Sequence, residues 1–390
     1  MTSEEQLSAT AKLPTLADVA RHCNVSIATA SRAFRNADRI APETRERILA
    51  AAAEIGYDAE VYAPARKMRL GSQGRHLASY AIALIISPAI TTVNYYALLF
   101  RGVAQEIEEH GYTLIIKMST GDLAALPVEE RLPPILARGD VDGFLIATGD
   151  FGLYEAIMRH PLLKQRPRML LLGRYIDPTS GRIMPGIKAD EQHGAYLAVR
   201  HLLELGHRHL VRICHPYYEL NWNLQNRYLG IVMALTEYGL NPETHLHTYV
   251  DNGELIVSPE LRSPCYPPPR LDEEGLKTHP FLGFLHEHPQ ITGVLATNDA
   301  NAIQSWRVLT RAGYRVPEEI SIVGFDDADP LLNDAQDNIL TTVRIPLVEI
   351  GRESVRQLIH QINDPQQEIN DTVFSTELII RGTTGPARQA

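Results

Sequence analysis

The sequence is poor in the features that build disulfide frameworks, metal centres and common active sites. Its 390 residues include three cysteines, Cys23, Cys214 and Cys265, an odd number set far apart. That usage excludes a disulfide scaffold and points to a reducing compartment, the cytoplasm. His207, His209 and His215 lack zinc-type spacing with any cysteine pair, so they are expected to cap, pack or face solvent. No stretch approaches the apolar length of a membrane span, and the N-terminus shows no apolar signal region, so no membrane association is expected. There is no P-loop, no Gly-x-Ser-x-Gly elbow and no His-Glu-x-x-His pair. Catalysis, a cofactor and a metal are therefore not expected. Asp326, Asp327 and Asp329 lie close together, but no further spaced ligands accompany them.

The most informative stretch that is present runs from Thr15 to Tyr57. Thr15 can cap a first helix, with Asp18 three residues on at the positive end of its dipole. Leu16, Val19 and Ala20 recur at helical spacing and form one buried face. His22-Cys23-Asn24 ends that helix, because Asn24 tolerates the left-handed conformation of a tight turn. Val25 plugs the turn and Ser26 caps a second helix, on which Ala30, Ala33 and Phe34 pack inward. Pro42 opens a third helix with an apolar stripe of Ile48, Leu49, Ala52 and Ile55. Three short helices, two joined by a tight turn, form a unit shaped for the DNA major groove. The alternative on these residues alone is a structural three-helix unit with no ligand.

Charge is distributed to match. The net charge is −10, but residues 1–76 carry 11 Lys/Arg against 9 Asp/Glu, and the remainder carries 26 against 38. Residues 61–76 hold Arg66, Lys67, Arg69 and Arg75 with no acid. A basic reader with an acidic body suits a polyanionic partner at one end only.

From about Leu77 the pattern alternates. Apolar strands are expected at 79–87, 113–117, 144–147, 168–172, 209–213, 293–296 and 320–324. Helices are expected at 95–110, 128–138, 153–160, 192–206, 224–239, 275–288, 299–313 and 347–362. Repeated β-α units predict a doubly wound α/β architecture in two lobes, with ligands in the crevice at the carboxyl ends of the strands. Residues 255–270, with Pro259, Pro264 and Pro267-Pro268-Pro269, read as an irregular insertion.

These residues also carry a resemblance. Thr15-Leu-Ala-Asp-Val-Ala, Val25-Ser-Ile-Ala-Thr-Ala-Ser-Arg32, Thr44-Arg-Glu-Arg47 and Ile55-Gly-Tyr57 resemble the lactose-repressor family of bacterial transcription factors. So do Leu205-Gly-His207, Arg227-Tyr-Leu-Gly230, Thr297-Asn-Asp299, the run from Val316 to Asp327, and Leu340-Thr-Thr-Val-Arg344. The resemblance spans nearly the whole chain. It implies a helix-turn-helix domain on a periplasmic-binding-protein-like core, and a homodimer or pair of dimers on a two-fold double-stranded DNA operator. The organisation it implies is a disordered N-terminus at 1–13, a DNA-binding domain at 14–58, and a hinge helix and linker at 59–76. An effector-binding and dimerisation core follows at 77–386, its N-lobe at about 77–190 and 344–363 and its C-lobe at about 191–343 and 364–386.

Two departures stand out. Between Tyr57 and the hinge the chain is about two residues longer than the family pattern, and Met68 stands where leucine is usual. Ile345 occupies a place where many relatives carry a polar residue facing the cleft.

Candidate DNA-binding residues are Thr15, Ser26, Ile27, Ala28, Thr29, Ser31 and Arg32 in the reader, with Arg66, Met68 and Arg69 in the hinge. Arg32 can donate to a guanine edge or hold a phosphate. Ile27 and Ala28 offer only apolar contact, for example to a thymine methyl, and Thr29 and Ser31 suit phosphate anchoring. Met68 is placed to wedge between base steps in the minor groove. Candidate effector-binding residues are Tyr95, Tyr96, Arg174, Trp222, Arg227, Asn298 and Asp326. The planar fork of Arg227 suits hydroxyls or a carboxylate, Asp326 accepts from vicinal hydroxyls, and the aromatic faces stack on sugar rings.

The expectation is a ligand-responsive repressor of carbohydrate-use genes, released from its operator by a small sugar. One alternative is a corepressor mode with a purine-like or phosphorylated ligand. Another is a sugar-carrying module that does not bind DNA, against which the basic first 76 residues argue. An enzyme on a similar two-lobed fold is the third, and lacks its catalytic constellation.

Overall fold

In the computed structural model the described residues are 16–34, 40–55, 57, 80–86, 94–118, 141–147, 169–172, 175–176, 183–184, 186–214, 222–251, 278–364 and 371–388. The expected N-terminal disorder at 1–13, hinge at 59–76, helices at 128–138 and 153–160, and insertion at 255–270 fall outside them. The chain divides into two compact units, residues 1–81 with 138–142, and residues 82–137 with 143–390.

Among its described residues the first unit contains three helices: α1 (Leu16–His22), α2 (Ile27–Phe34) and α3 (Pro42–Glu54). Asn24 takes φ 53°, and Val25 N–H donates to Ala20 O at 2.9 Å, so the turn is as tight as its sequence predicts. Ser26 Oγ accepts from Thr29 N–H at 3.0 Å, the N-cap bond that α2 needs. Val19, Ala20, Ala30, Ala33, Ile48, Ala52 and Tyr57 form the core. Their small side chains let three short helices close together, and Phe34 meets Tyr57 edge-on at 5.4 Å. Arg45 Nε donates to Ala33 O at 3.0 Å, satisfying a carbonyl in the last turn of α2.

The second unit holds two six-stranded sheets. Numbered along the chain, the first uses β1 (Ala81–Ile86), β2 (Thr113–Met118), β3 (Gly143–Ala147), β4 (Met169–Leu172), β7 (Gly186–Ala189) and β13 (Thr372–Phe374). Its order is β13-β7-β4-β3-β1-β2. The second uses β8 (Leu210–Cys214), β9 (Leu246–Val250), β10 (Gly293–Leu295), β11 (Ser321–Asp326), β12 (Thr342–Arg344) and β14 (Glu377–Ile379), in the order β14-β12-β11-β10-β8-β9. A short hairpin, β5 (Tyr175–Ile176) with β6 (Ile183–Met184), is antiparallel. β12 with β14 is also antiparallel, whereas β11 pairs parallel with β10 and β12. β1, β3, β8 and β11 are buried along their whole length, as continuous apolar runs between helices should be.

Helices α4 (Asn94–Glu109) and α10 (Leu347–Asn363) pack together in the first lobe. In the second lobe α5 (Glu191–Glu204) packs on α6 (Trp222–Glu237). The remaining helices among the described residues of this lobe are α7 (Pro242–His245), α8 (Pro280–Glu287) and α9 (Asp299–Arg311). Both helix pairs cross at glycine. A Cβ on Gly102 would lie 2.0 Å from Val348 O, and one on Gly230 would lie 2.0 Å from Gln192 O. Only a residue without a side chain allows backbones that close.

The doubly wound α/β expectation holds, but the C-terminal boundary between the lobes differs. Residues 364–386 were expected in the second lobe, yet β13 pairs parallel with β7 in the first sheet. The chain therefore passes between the sheets three times, at 190, at 345–346 and at 375–376. Thr376 Oγ1 donates to Asp190 O at 3.0 Å and ties two of these passages together. β5–β7, β9 and β12–β14 were not anticipated. They are two to five residues long, and β9 is a half-buried edge strand with no apolar run.

Gly230→Ala is expected to lower stability by about 1–3 kcal/mol or more through forced separation of α5 and α6. Gly283→Ala, where nothing lies within 4 Å of the added Cβ, should be neutral or stabilising by up to about 1 kcal/mol. Paired thermal melts check the contrast. Equal effects would mean that the close crossing is not a constraint.

Candidate functional site

Of the reader residues, Ser26 is committed to capping α2. Thr29 Oγ1 sits 2.8 Å from Ser26 Oγ, so the two hydroxyls share a hydrogen bond at the helix entrance. Ile27, Ala28, Ser31 and Arg32 lie on α2, but their side chains fall outside the described residues, as do Thr15, Arg66, Met68 and Arg69. Arg21 pairs with Asp18 at 2.8 Å, and His22 approaches Glu54 at 3.3 Å. Both are exposed contacts that contribute little.

The second constellation is in the larger unit, and Arg227 organises it. The close crossing at Gly230 brings α6 down on α5, so Arg227 reaches Glu191 in the first turn of α5. Its Nε donates to Glu191 Oε2 at 2.6 Å. Nη1 donates to the carbonyl of Thr297, just after β10, and Nη2 lies 3.6 Å from Asp326 Oδ1 at the end of β11. The guanidinium stacks over the Phe325 ring at 3.6 Å. Burial disfavours this charge, but Glu191 and Asp326 outweigh it and hold the Arg227 pKa above its usual value.

Burial shifts Asp326 and Asp299 toward their neutral forms. Asp326 is 7% exposed, and burial pushes its pKa well above the usual carboxylate range, against the pull of Arg227. Its Oδ1 accepts no hydrogen bond from a described residue. Its backbone has φ 107°, a conformation costly for any residue with a side chain. Pairing with β12 holds it there, and Ile345 N–H donates to Asp326 O at 3.2 Å.

Asp299, the first residue of α9, is pushed up to about 7 by burial, opposed by Thr342 Oγ1 and the N–H groups of Ala328 and Asp329. Asp327 is clamped by Arg344 Nε at 2.8 Å and Arg381 Nη2 at 2.9 Å. Among the described residues, no group of three or more His, Cys, Asp or Glu side chains is arranged to hold a metal.

Several sequence candidates meet here. Tyr95, in the first turn of α4, lies near enough to Arg227 to act on its charge, and Tyr95 meets Tyr96 edge-on at 5.3 Å. Asn298 caps α9, its Oδ1 accepting from Asn301 N–H at 2.8 Å, which leaves the amide NH2 as its group for a ligand. Trp222 opens α6 but its side chain, like Arg174, is outside the described residues. Ile345 is 4% exposed and packs in the apolar core.

Glu191 and Asn94 were missed. Asn94 Nδ2 donates to Asp329 Oδ1 at 2.6 Å, joining the first turn of α4 to the loop after β11. The signal for Glu191 is an acidic pair, Asp190-Glu191, following a strand too short to recognise. His207 is structural, its ring nitrogens 2.8 Å from Thr292 Oγ1 and 3.0 Å from Ser321 Oγ in the buried floor.

Because the folded pKa of Asp299 lies above its unfolded value, folding takes up a proton between about pH 4 and about pH 7. Its contribution to stability is full below that window and falls as pH rises through it, by at most about 1.4 kcal/mol per pH unit. Asp299→Asn should flatten that slope relative to the natural chain in denaturant titrations from pH 4 to 7. An unchanged slope would assign the titration elsewhere.

Comparison with known proteins agrees with this architecture. Residues 15–60 match the family described as bacterial regulatory proteins, lacI family, and residues 199–384 match a periplasmic binding protein-like domain. The HTH-type transcriptional repressor CytR of Escherichia coli K12 is 28% identical over 371 residues, 95% of this chain and 96% of that protein. A LacI family regulator from Enterococcus faecium solved with bound ribose is 26% identical, with TM-score 0.59 over 79% of this chain and 100% of that one. The Lac repressor dimer bound to operator and the anti-inducer ONPF superposes with TM-score 0.63 at 23% identity, over 96% of this chain and 100% of that one. A tight-turned helical reader joined to a two-lobed core whose buried arginine faces the carboxyl ends of the strands is thus accounted for: the chain joins a lacI-family DNA-binding domain to a periplasmic-binding-protein-like core, the organisation of a DNA-binding transcriptional regulator.

Proposed function

We propose that this regulator is a cytoplasmic repressor of carbohydrate-use genes, and that a neutral polyhydroxy ligand releases it from a palindromic operator. The observation that carries the ligand class is the committed state of Arg227. Its Nε and Nη1 are engaged by Glu191 and Thr297, its Nη2 faces Asp326, and its π-face lies on Phe325. A guanidinium so used is a poor receptor for phosphate, and the carboxylates around it repel anions. Asp326 Oδ1, buried and without a hydrogen bond from a described residue, suits a ligand that donates, and a hydroxyl does so. The amide of Asn298 and the rings of Tyr95, Tyr96 and Trp222 complete the set of candidates, with Arg174. The relative solved with bound ribose supports a sugar.

On the DNA side, Arg32 reads a base edge while Thr29 and Ser31 hold phosphates, with Thr15 and Ser26 at the helix entrances that face the DNA. Ile27 and Ala28 meet thymine methyls. Residues 59–76 form the coupling element. Two copies in a homodimer, or in a pair of dimers, fold in the minor groove through Arg66 and Arg69, with Met68 as the wedge. A ligand in the cleft biases the spacing of the lobes and so permits or forbids that pairing. No helix among the described residues is long and apolar enough to cross a membrane.

The test is an operator titration with and without a panel of sugars, nucleosides and their phosphates. A neutral sugar or nucleoside should weaken operator binding. A ligand that strengthens it would establish the corepressor sign instead. Asp326→Asn should abolish the response with operator affinity intact. Arg227→Ala is a poor probe, because it leaves Glu191 buried and unpaired at a cost of about 3–5 kcal/mol. Arg32→Ala should weaken specific binding by about 1–3 kcal/mol and random DNA less. Equal weakening on both would make Arg32 a phosphate contact.

A further inference from the structure

The strands of the second sheet present the cleft residues at their carboxyl ends. At the amino-terminal ends of β8 and β9 lies a different cluster, four half-buried histidines from three parts of the fold. His209 immediately precedes β8, His245 ends α7, His247 is the second residue of β9, and His288 follows α8 as its C-cap. The parallel register Leu210↔Leu246 sets His209 beside His245, and their rings stack at 4.9 Å with planes 18° apart. The His247 ring lies 5.7 Å from that of His209 and 4.8 Å from that of His288, which in turn packs on Phe284 at 4.6 Å.

The rings are oriented by the backbone as well as by packing. His245 Nδ1 lies 3.0 Å from Asn241 O and 2.8 Å from Thr244 Oγ1, which together orient its ring.

The deciding distance is between His209 Nδ1 and His247 Nε2, 3.5 Å. That is long for a hydrogen bond, whose usual N–H span is about 2.7–3.2 Å. Two nitrogens each about 2.0–2.1 Å from one tetrahedral ion lie about 3.4 Å apart, so the pair already has the spacing of adjacent ligands. No third His, Cys, Asp or Glu among the described residues completes the set, and solvent takes the remaining positions. We propose that His209 Nδ1 and His247 Nε2 chelate a late first-row divalent cation, zinc(II) or copper(II), clipping edge strand β9 to β8. Imidazole ligands suit these two ions, and copper(II) leads the divalent series in affinity.

The experiment titrates the metal-free full-length protein with zinc chloride and, separately, with copper sulfate, by calorimetry. Histidine-ring nitrogen shifts are recorded with zinc. One ion per chain should bind, with zinc moving the resonances of His209 Nδ1 and His247 Nε2. His209→Gln and His247→Gln should each weaken binding about tenfold or more, and His360→Gln, an exposed residue on α10, should not. The melting temperature should rise with metal in the natural chain and not in the two variants. Unchanged affinity in both variants, or no movement of these ring nitrogens at millimolar zinc, would overturn the proposal. The shifts are read on the natural chain, so they decide the matter even if a variant folds poorly.

Discussion

A guanidinium taken out of water must be matched, and the matching of Arg227 dictates much of the larger unit. Burying a charge costs several kcal/mol before its partners are counted. Here the partners come from separate stretches of chain: Glu191 at the head of α5, the Thr297 carbonyl after β10, and Phe325 and Asp326 at the end of β11. Each is a residue at the edge of an element, so the sheet order and the passages between lobes must be correct for the charge to be satisfied. Gly230 is the enabling detail, since without its close approach to Gln192 the arginine and Glu191 would not be at 2.6 Å.

The same arrangement explains why a ligand here can be felt at a distance. Glu191 directly follows the passage at 190, and Asp326 accepts from the backbone of Ile345 in the passage at 345–346. Asn94 reaches from the first lobe to Asp329 in the second. The chemistry that recognises the ligand is therefore built on the segments that would move if the lobes changed their spacing. A ligand that prefers one spacing shifts the balance by its differential affinity and no more.

Much of this was legible from the sequence where local chemistry dominates. Asn24 in a left-handed turn, Ser26 as a cap, Ala30 and Ala33 as the inward face of α2, and Pro42 opening α3 follow from backbone and capping rules. Arg227 and Asp326 were identifiable from motif and from position after a strand. What escaped were roles set by long-range packing. Glu191 is defined by an arginine 36 residues away. Asn298 was singled out for its amide, while its oxygen is spent capping α9. Ile345 sits where a polar residue facing the cleft was the family expectation, yet its side chain turns into the core. The short strands near the C-terminus carry too few residues for periodicity to register, which is why β13 was placed with the wrong sheet.

The central claim is that a charge-compensated Arg227 and the buried Oδ1 of Asp326, with no hydrogen bond from a described residue, select an uncharged polyhydroxy ligand. Calorimetric binding of matched pairs, a neutral sugar or nucleoside and its phosphate, to the full-length protein measures this directly. The account predicts that heat is released only with the neutral member, and that Asp326→Asn abolishes it while the melting curve persists. Tight binding of the phosphorylated member, unaffected by Asp326→Asn, would contradict it.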